Sequence, residues 1–204
     1  MKTLFVILLS VFQLGLLSPQ RAAASSATLY YSDGPWSGKV IDAETKEPIE
    51  GAVVVAVWKK IYSTLTGDSS YFFDAIETIT DRTGNFSISN FKAVNMTPVI
   101  ARIEGPRFTI FKPAYSTFPG YKYFHKYFPH SPLKVDSDTL AELFKKGVVI
   151  ELSILKTKEE RLDAQSEARP LGDIPDEKIP NLLNLINTER RNLGLDPIHV
   201  KKGR

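Results

Sequence analysis

Short apolar and alternating segments separated by turns dominate residues 36–155. Ala52 to Trp58 is an unbroken β-branched and apolar run, typical of a buried strand. Residues 85–90 alternate, with Phe86 and Ile88 on one side, which predicts a half-buried strand. Further strands are predicted at 36–42, 77–80, 98–103, 107–112 and 147–155, and residues 60–75 are interpreted as an insertion between strands. Without long helices between the strands, this pattern predicts a mainly β fold, a seven-stranded antiparallel β-sandwich.

Two helical segments interrupt this β pattern. Asp136 or Asp138 begins a predicted short helix that runs to Lys146 and ends at Gly147. Residues 157–204 differ in composition, and we interpret them as a charged linker followed by a C-terminal amphipathic helix. Within the linker, Thr157 to Ala168 is a charged helix candidate and Pro170 to Pro175 separates it from the amphipathic helix. Its apolar residues recur at helical spacing: Leu182, Leu183, Ile186 and, two turns on, Leu193. The spacing predicts a docking helix, which either packs on its own sandwich or binds a partner protein.

Residues 1–24 have the pattern of a secretory signal peptide. Lys2 precedes an apolar run from Leu4 to Leu17, and Ala22 to Ala24 supply small residues for cleavage before Ser25. The alternative is an uncleaved membrane anchor, but a run of about 14 residues is short of the roughly 20 that span a bilayer. We therefore expect an exported protein, periplasmic, cell-surface or extracellular, with membrane contact only through this peptide. Residues 25–35 are interpreted as a linker or an early edge strand.

Composition narrows the possible classes of function. The chain of 204 residues has no cysteine, which excludes disulfides, thiol catalysis, thiolate metal sites and a lipoprotein anchor. Its formal net charge is +3, and removing Lys2 and Arg21 with the leader leaves about +1. A nearly neutral mature chain has no electrostatic footprint for nucleic acid.

Two segments carry a resemblance to a known family. Residues 38–54 read GKVIDAETKEPIEGAVV, and residues 80–88 read TDRTGNFSI. In this order they resemble the carboxypeptidase regulatory-like domains, a family with a transthyretin-like (prealbumin-like), Ig-like Greek-key β-sandwich. The resemblance extends loosely over residues 36–156. It implies a non-catalytic accessory, adhesive or carbohydrate-binding-like module of an exported protein, without a cofactor.

An aromatic segment is the main candidate binding surface. Its rings alternate with Lys122 and Lys126, and they comprise Tyr115, Tyr121, Tyr123, Phe124, Tyr127 and Phe128. Aromatic rings in an exposed loop stack on sugar faces or fill pockets of a partner protein. The alternative is that about half of them cap the sandwich core.

Other chemistries have weaker support. His125 and His130 are five residues apart with no acid between them, a spacing that disfavours a metal site. The acids of the predicted turns are interpreted as solvated rather than as calcium ligands: Asp42, Glu44, Asp81 and Asp138. No Gly-x-Ser-x-Gly sequence occurs, so hydrolase activity is the weakest alternative, and we expect no catalytic residues, metal or cofactor. Asn85 and Asn95 each begin a formal N-glycosylation sequence.

The sequence thus predicts an exported, non-enzymatic module that acts in protein–protein interaction or scaffolding at the cell envelope or exterior. The alternative is a carbohydrate-binding module that uses the loop at residues 115–128. The expected partner is another envelope or extracellular protein, or a polysaccharide, and not nucleic acid.

Overall fold

The computed structural model describes residues 29–120, 137–169 and 174–198. The predicted signal peptide at residues 1–24, most of the aromatic segment, and the histidines His125 and His130 lie outside these ranges. The strands are β1 (Tyr30–Asp33), β2 (Trp36–Asp42), β3 (Val53–Thr64), β4 (Gly67–Ile79), β5 (Asn85–Ile88), β6 (Phe91–Val94), β7 (Ala101–Phe111) and β8 (Val148–Leu152). The helices are α1 (Ser137–Lys145), α2 (Lys158–Ala168) and α3 (Pro180–Asn192), with a 3-10 turn at Asp176–Lys178.

The strands form two three-stranded sheets, in the orders β5-β2-β8 and β4-β3-β7, and a two-stranded sheet of β1 and β6. The mainly β sandwich with a short helix and a helical tail is confirmed. The described residues contain eight strands rather than seven. Part of the segment 25–35, interpreted as a linker or an early edge strand, is the strand β1, and β6 was not predicted. The predicted strands at 98–103 and 107–112 are one strand, β7, which begins only at Ala101. One pair is parallel: β8 runs alongside β2, with Val40 opposite Ile150.

Residues 60–75 are not an insertion. They are the end of a long hairpin in which β3 and β4 pair from Val53 opposite Ile79 to Thr64 opposite Gly67. Polar side chains dominate this end of the hairpin because much of it extends into solvent, and the sequence there resembles a loop for that reason.

The central strand β3 is covered on both faces. Val54, Ala56 and Trp58 point into the inner core, between the two three-stranded sheets. Val53, Val55 and Val57 point to the opposite side, where the C-terminal helices form an outer core. A strand buried on both faces has no polar face to present, which explains why Ala52 to Trp58 is continuously apolar.

Helix α1 closes the inner core at one side. Phe144 is fully buried, and its ring stacks on that of Phe108 with 4.0 Å between centroids. Lys145 makes a 2.6 Å ion pair with Asp33 at the end of β1. The short helix predicted here is therefore present, with Gly147 following it in a left-handed conformation (φ 77°).

The helical tail forms a third layer over the sheet β4-β3-β7. Thr157 caps α2 in a capping box with Glu160. Glu77 of β4 accepts 2.8 Å hydrogen bonds from the backbone N–H groups of Asn181 and Leu182, and so caps α3. Lys178 adds a 2.8 Å ion pair to Asp74. None of the helices within the three described ranges is long and apolar enough to span a membrane.

The two motif segments at residues 38–54 and 80–88 interlock. The buried hydroxyl of Thr80 accepts a 2.8 Å hydrogen bond from the Ala52 N–H and donates a 2.7 Å bond to the Ile49 carbonyl. Gly84 has a φ of 77° and lies so close to the Val40 carbonyl that an added Cβ would be 2.4 Å from its oxygen. A side chain at Gly84 would therefore separate the two segments.

Candidate functional site

Tyr115 is the one predicted aromatic binding residue that the described ranges include. Its ring is half-buried against the inner core. Burial raises the pKa of its hydroxyl, and the Asp42 carboxylate, which is hydrogen-bonded to it, raises that pKa further. Tyr115 thus packs against the sandwich core and is not an exposed ring available for stacking on a ligand. Outside the described residues lie the other five: Tyr121, Tyr123, Phe124, Tyr127 and Phe128.

The apolar face of α3 is occupied within the chain. Leu182, Leu183 and Ile186 are buried in the outer core, and Leu193 is buried at the end of the helix. The sequence left open whether this helix face packs on its own sandwich or binds a partner protein. In the structure it packs on the protein's own sheet.

Two of the turn acids have structural roles, and Asp42 is buried rather than solvated as predicted, with 3% of its surface exposed. Asp42 accepts hydrogen bonds from the backbone N–H groups of Thr45 and Glu44, and these bonds lower the pKa of its carboxyl against the effect of burial. Asp81 accepts in the same way from Thr83 and Asn85. Among the residues that the structure describes, no three His, Asp or Glu side chains gather closely enough to hold a metal ion.

Exposed apolar side chains concentrate where three segments meet, a region that we call the apolar end. It comprises Tyr30, Leu65, Val94, Met96, Val99 and Ile100, all of them exposed. Tyr30 and Val94 are directly opposite in β1 and β6 and so share a face. The Ser63 N–H donates a 3.3 Å hydrogen bond to the Ile100 carbonyl, which joins the hairpin tip to the same region.

The loop that carries Met96, Val99 and Ile100 is held by its own hydrogen bonds. The Asn95 side chain is buried, and its Nδ2 donates a 2.7 Å bond to the Ala101 carbonyl. The N–H groups of Ile100 and Ala101 both donate to the Thr97 carbonyl. The exposed apolar side chains therefore stand on a fixed backbone.

A second feature, the cationic cleft, lies on the outer face of β3 and β7 beside the end of α2. Its volume is about 240 Å³, and it is lined by Val57, Lys59, Arg107, Phe108, Thr109, Pro119, Glu167 and Arg169. The pairing of β3 with β7 shifts between Val57, which is opposite Arg107, and Lys59, which is opposite Glu104. This irregularity places Arg107 beside Lys59 on the same face of the sheet.

Lys59 is the distinctive group of the cationic cleft. Within the described part of the chain its side chain makes no hydrogen bond or ion pair, and it is half-buried. Burial lowers the pKa of its ammonium group, the neighbouring Arg107 lowers it further, and Glu104 only partly opposes them. The Glu104 carboxylate is shared between Arg102 at 3.5 Å and Arg107 at 3.7 Å.

Neither feature was among the predicted sites. The apolar end was hidden because Val99 and Ile100 belong to a sequence that reads as a buried strand at 98–103. The cationic cleft joins β3, β7 and α2, which are far apart in sequence. A weak signal was present in Lys59 and Lys60, two consecutive charges that directly follow the apolar run of β3.

Comparisons with known proteins add no relative to this picture. No protein-family model matches the chain, and neither a curated protein nor a solved structure matches it.

Proposed function

We propose that this chain is an exported, non-catalytic β-sandwich module that binds another protein at the cell envelope or exterior, and that it does so through the apolar end. The observation that carries the proposal is the concentration of six exposed apolar side chains on three connected segments. A group of exposed apolar side chains on connected segments is a feature of interaction sites on protein surfaces.

The energetics favour binding at this surface. Each Å² of apolar surface removed from water contributes about 25 cal/mol, and Val99, which is 89% exposed, has nearly all of its side-chain surface left to bury. The hydrogen bonds of Asn95 and Thr97 already fix the loop. Little conformational entropy is therefore lost when a partner docks.

The surroundings of the apolar end supply a polar border. Arg102 makes a 2.9 Å ion pair with Asp68 and a longer one with Glu104, and all three side chains are partly exposed. An apolar centre with a charged, solvated rim is the usual composition of a protein–protein interface.

We also propose that the chain is a member of the carboxypeptidase regulatory-like family. The support is that the two segments which carry the resemblance interlock through Thr80 and Gly84. Members of that family are usually accessory modules without catalytic activity, which agrees with a binding role.

The test is crosslinking in intact cells from a photoreactive residue placed at Leu65, followed by identification of the captured protein. We expect one dominant partner, whose capture is lost in Val99→Asp. The matched control is Val149→Asp, which changes an equally branched side chain, 50% exposed, on β8. Point substitutions are preferable to deletion of α3, because deletion would uncover the outer face of β3.

Capture that is equal in Val99→Asp and Val149→Asp would overturn the proposal. Retention on envelope polysaccharide that is lost when Tyr121, Tyr123 and Tyr127 are replaced by Ala would instead favour a carbohydrate-binding module.

A further inference from the structure

We propose that the cationic cleft is a binding site for a small organic anion, whose carboxylate or phosphate group lies between the Lys59 ammonium and the Arg107 guanidinium. This site is separate from the apolar end and independent of any partner bound there.

Charge is the first argument. The lining contains the cations Lys59, Arg107 and Arg169 and one carboxylate, that of Glu167. Two of the cations have other contacts: Arg169 makes a 3.4 Å ion pair with Asp176, and Arg107 a 3.7 Å contact with the shared Glu104. Lys59 alone brings a half-buried charge with no ion-pair partner within the described ranges. A partly desolvated ammonium beside a guanidinium is stabilised when an anion occupies the space between them.

The backbone builds this arrangement. Gly105 has a φ of 131°, and a Cβ there would be 2.9 Å from the Val57 carbonyl oxygen. Gly105 therefore allows β7 to lie close against β3 at the irregularity that aligns Arg107 with Lys59. Because Lys59 and Arg107 lie on neighbouring strands of one sheet, the sheet and not a flexible loop fixes the positions of their backbones.

The size and floor of the cleft define the ligand. Drug-sized ligands occupy pockets of roughly 300–1,000 Å³, so a cleft of about 240 Å³ suits a smaller molecule. Val57, Pro119 and Thr109 also line the cleft beside the cations. The expected ligand is thus a small molecule with one anionic group, such as a uronic acid, a terminal peptide carboxylate or a small phosphate.

The experiment is an NMR and calorimetric titration of the mature chain with three probes: glucuronate, N-acetylalanine and inorganic phosphate. We expect at least one probe to shift the amide signals of Lys59 and Arg107. Which probe binds most tightly distinguishes a sugar acid, a peptide carboxylate and a phosphate.

Lys59→Gln removes one charge-assisted hydrogen bond and is expected to weaken binding about tenfold. Lys59→Arg, which keeps the charge, is expected to bind nearly as well as the native chain. The matched control is Lys60→Gln, because Lys60 lies on the opposite face of β3 over the ring of Tyr62.

The proposal is overturned if no probe shifts the Lys59 and Arg107 signals, or if Lys60→Gln weakens binding as much as Lys59→Gln does. If Lys59→Gln does not fold, Arg107→Gln replaces it in the test. A folded Arg107→Gln variant that binds the probe as tightly as the native chain would also overturn the proposal.

Discussion

Arg161 of α2 holds the Glu189 carboxylate of α3 in two parallel hydrogen bonds, Nε to Oε1 and Nη2 to Oε2, each 2.7 Å long. The Glu189 side chain is only 1% exposed, and its Oε1 also accepts a 3.3 Å bond from the Ala114 N–H. This pair joins the two tail helices to each other and to the segment that follows β7.

Arg161→Met is expected to lower the free energy of unfolding by about 3 kcal/mol, because it leaves a buried carboxylate without its cation. Urea denaturation measures the change. Lys158→Met, at the exposed start of the same helix, is the control and should change stability by less than about 0.5 kcal/mol.

The double variant Arg161→Met with Glu189→Leu distinguishes two causes of the stability loss, an unpaired buried carboxylate and the loss of packing by Arg161. We expect it to recover most of the lost stability, since removing both charges removes the desolvation cost. A double variant as unstable as Arg161→Met would contradict this account.

The same pair predicts a loss of stability in acid. Burial alone would raise the pKa of the Glu189 carboxyl, but the hydrogen bonds from Arg161 and Ala114 outweigh it and hold that pKa below its ordinary value of 4.5. A carboxyl whose pKa is lower in the folded chain stabilises the fold above the unfolded value. That contribution is lost as the pH falls through the lowered value.

The measurement is urea denaturation of the native chain and of the double variant, from neutral pH to below pH 4.5. The difference in the free energy of unfolding between the two chains isolates the contribution of the pair. We expect the native chain to lose stability relative to the double variant on acidification. A difference that is constant with pH would refute the prediction.

The outer core predicts that the helical tail is part of the fold. Leu182→Ala removes a fully buried side chain between α3 and β3 and is expected to cost about 2–5 kcal/mol. Leu65→Ala, at a fully exposed position, is the control and should leave the urea midpoint nearly unchanged. Equal midpoints for the two variants would mean that the tail does not stabilise the sandwich.

The two N-glycosylation sequences differ in accessibility. Asn85 is exposed at the start of β5, whereas Asn95 is 2% exposed and its amide nitrogen is bonded to Ala101. A glycan at Asn95 cannot be accommodated in this fold. In a secretory host that glycosylates, the folded fraction should therefore carry a glycan only at Asn85.

Mass spectrometry of the folded fraction tests this expectation. Ser87→Ala should abolish the modification, and Thr97→Ala, which removes the second sequence but keeps Asn95, should leave it unchanged. A folded product with a glycan on Asn95 would contradict the structure of the 95–101 loop.

Local features of the fold could be predicted from the sequence. These features depend on contacts or geometry within a few residues. They are the apolar run of β3, the turn at Asp81 to Gly84, and the spacing of Leu182, Leu183 and Ile186. Periodicity reports such features directly. It also indicated that α3 has an apolar face, but not what covers that face.

Features that depend on distant segments could not be predicted. The parallel pairing of β2 with β8 joins Gly38 to Val148, and the cationic cleft joins Lys59 to Arg169. The local pattern gave only a weak signal, two consecutive lysines after the apolar run of β3, and it did not separate Lys59, which lines the cleft, from Lys60. The apolar end was missed for a similar reason, because Val99 and Ile100 are apolar in sequence but lie in a turn.

The helical layer over β3 also bears on when the protein can fold. As the chain leaves the ribosome, the outer face of β3 stays uncovered until α3 has been synthesised. Likewise, β2 cannot form its parallel pairing with β8 until β8 has been synthesised. Pairings this far apart in sequence slow the search for the native state. The delay follows from topology, because the segments that complete the sheet and its cover are translated after the strands on which they pack.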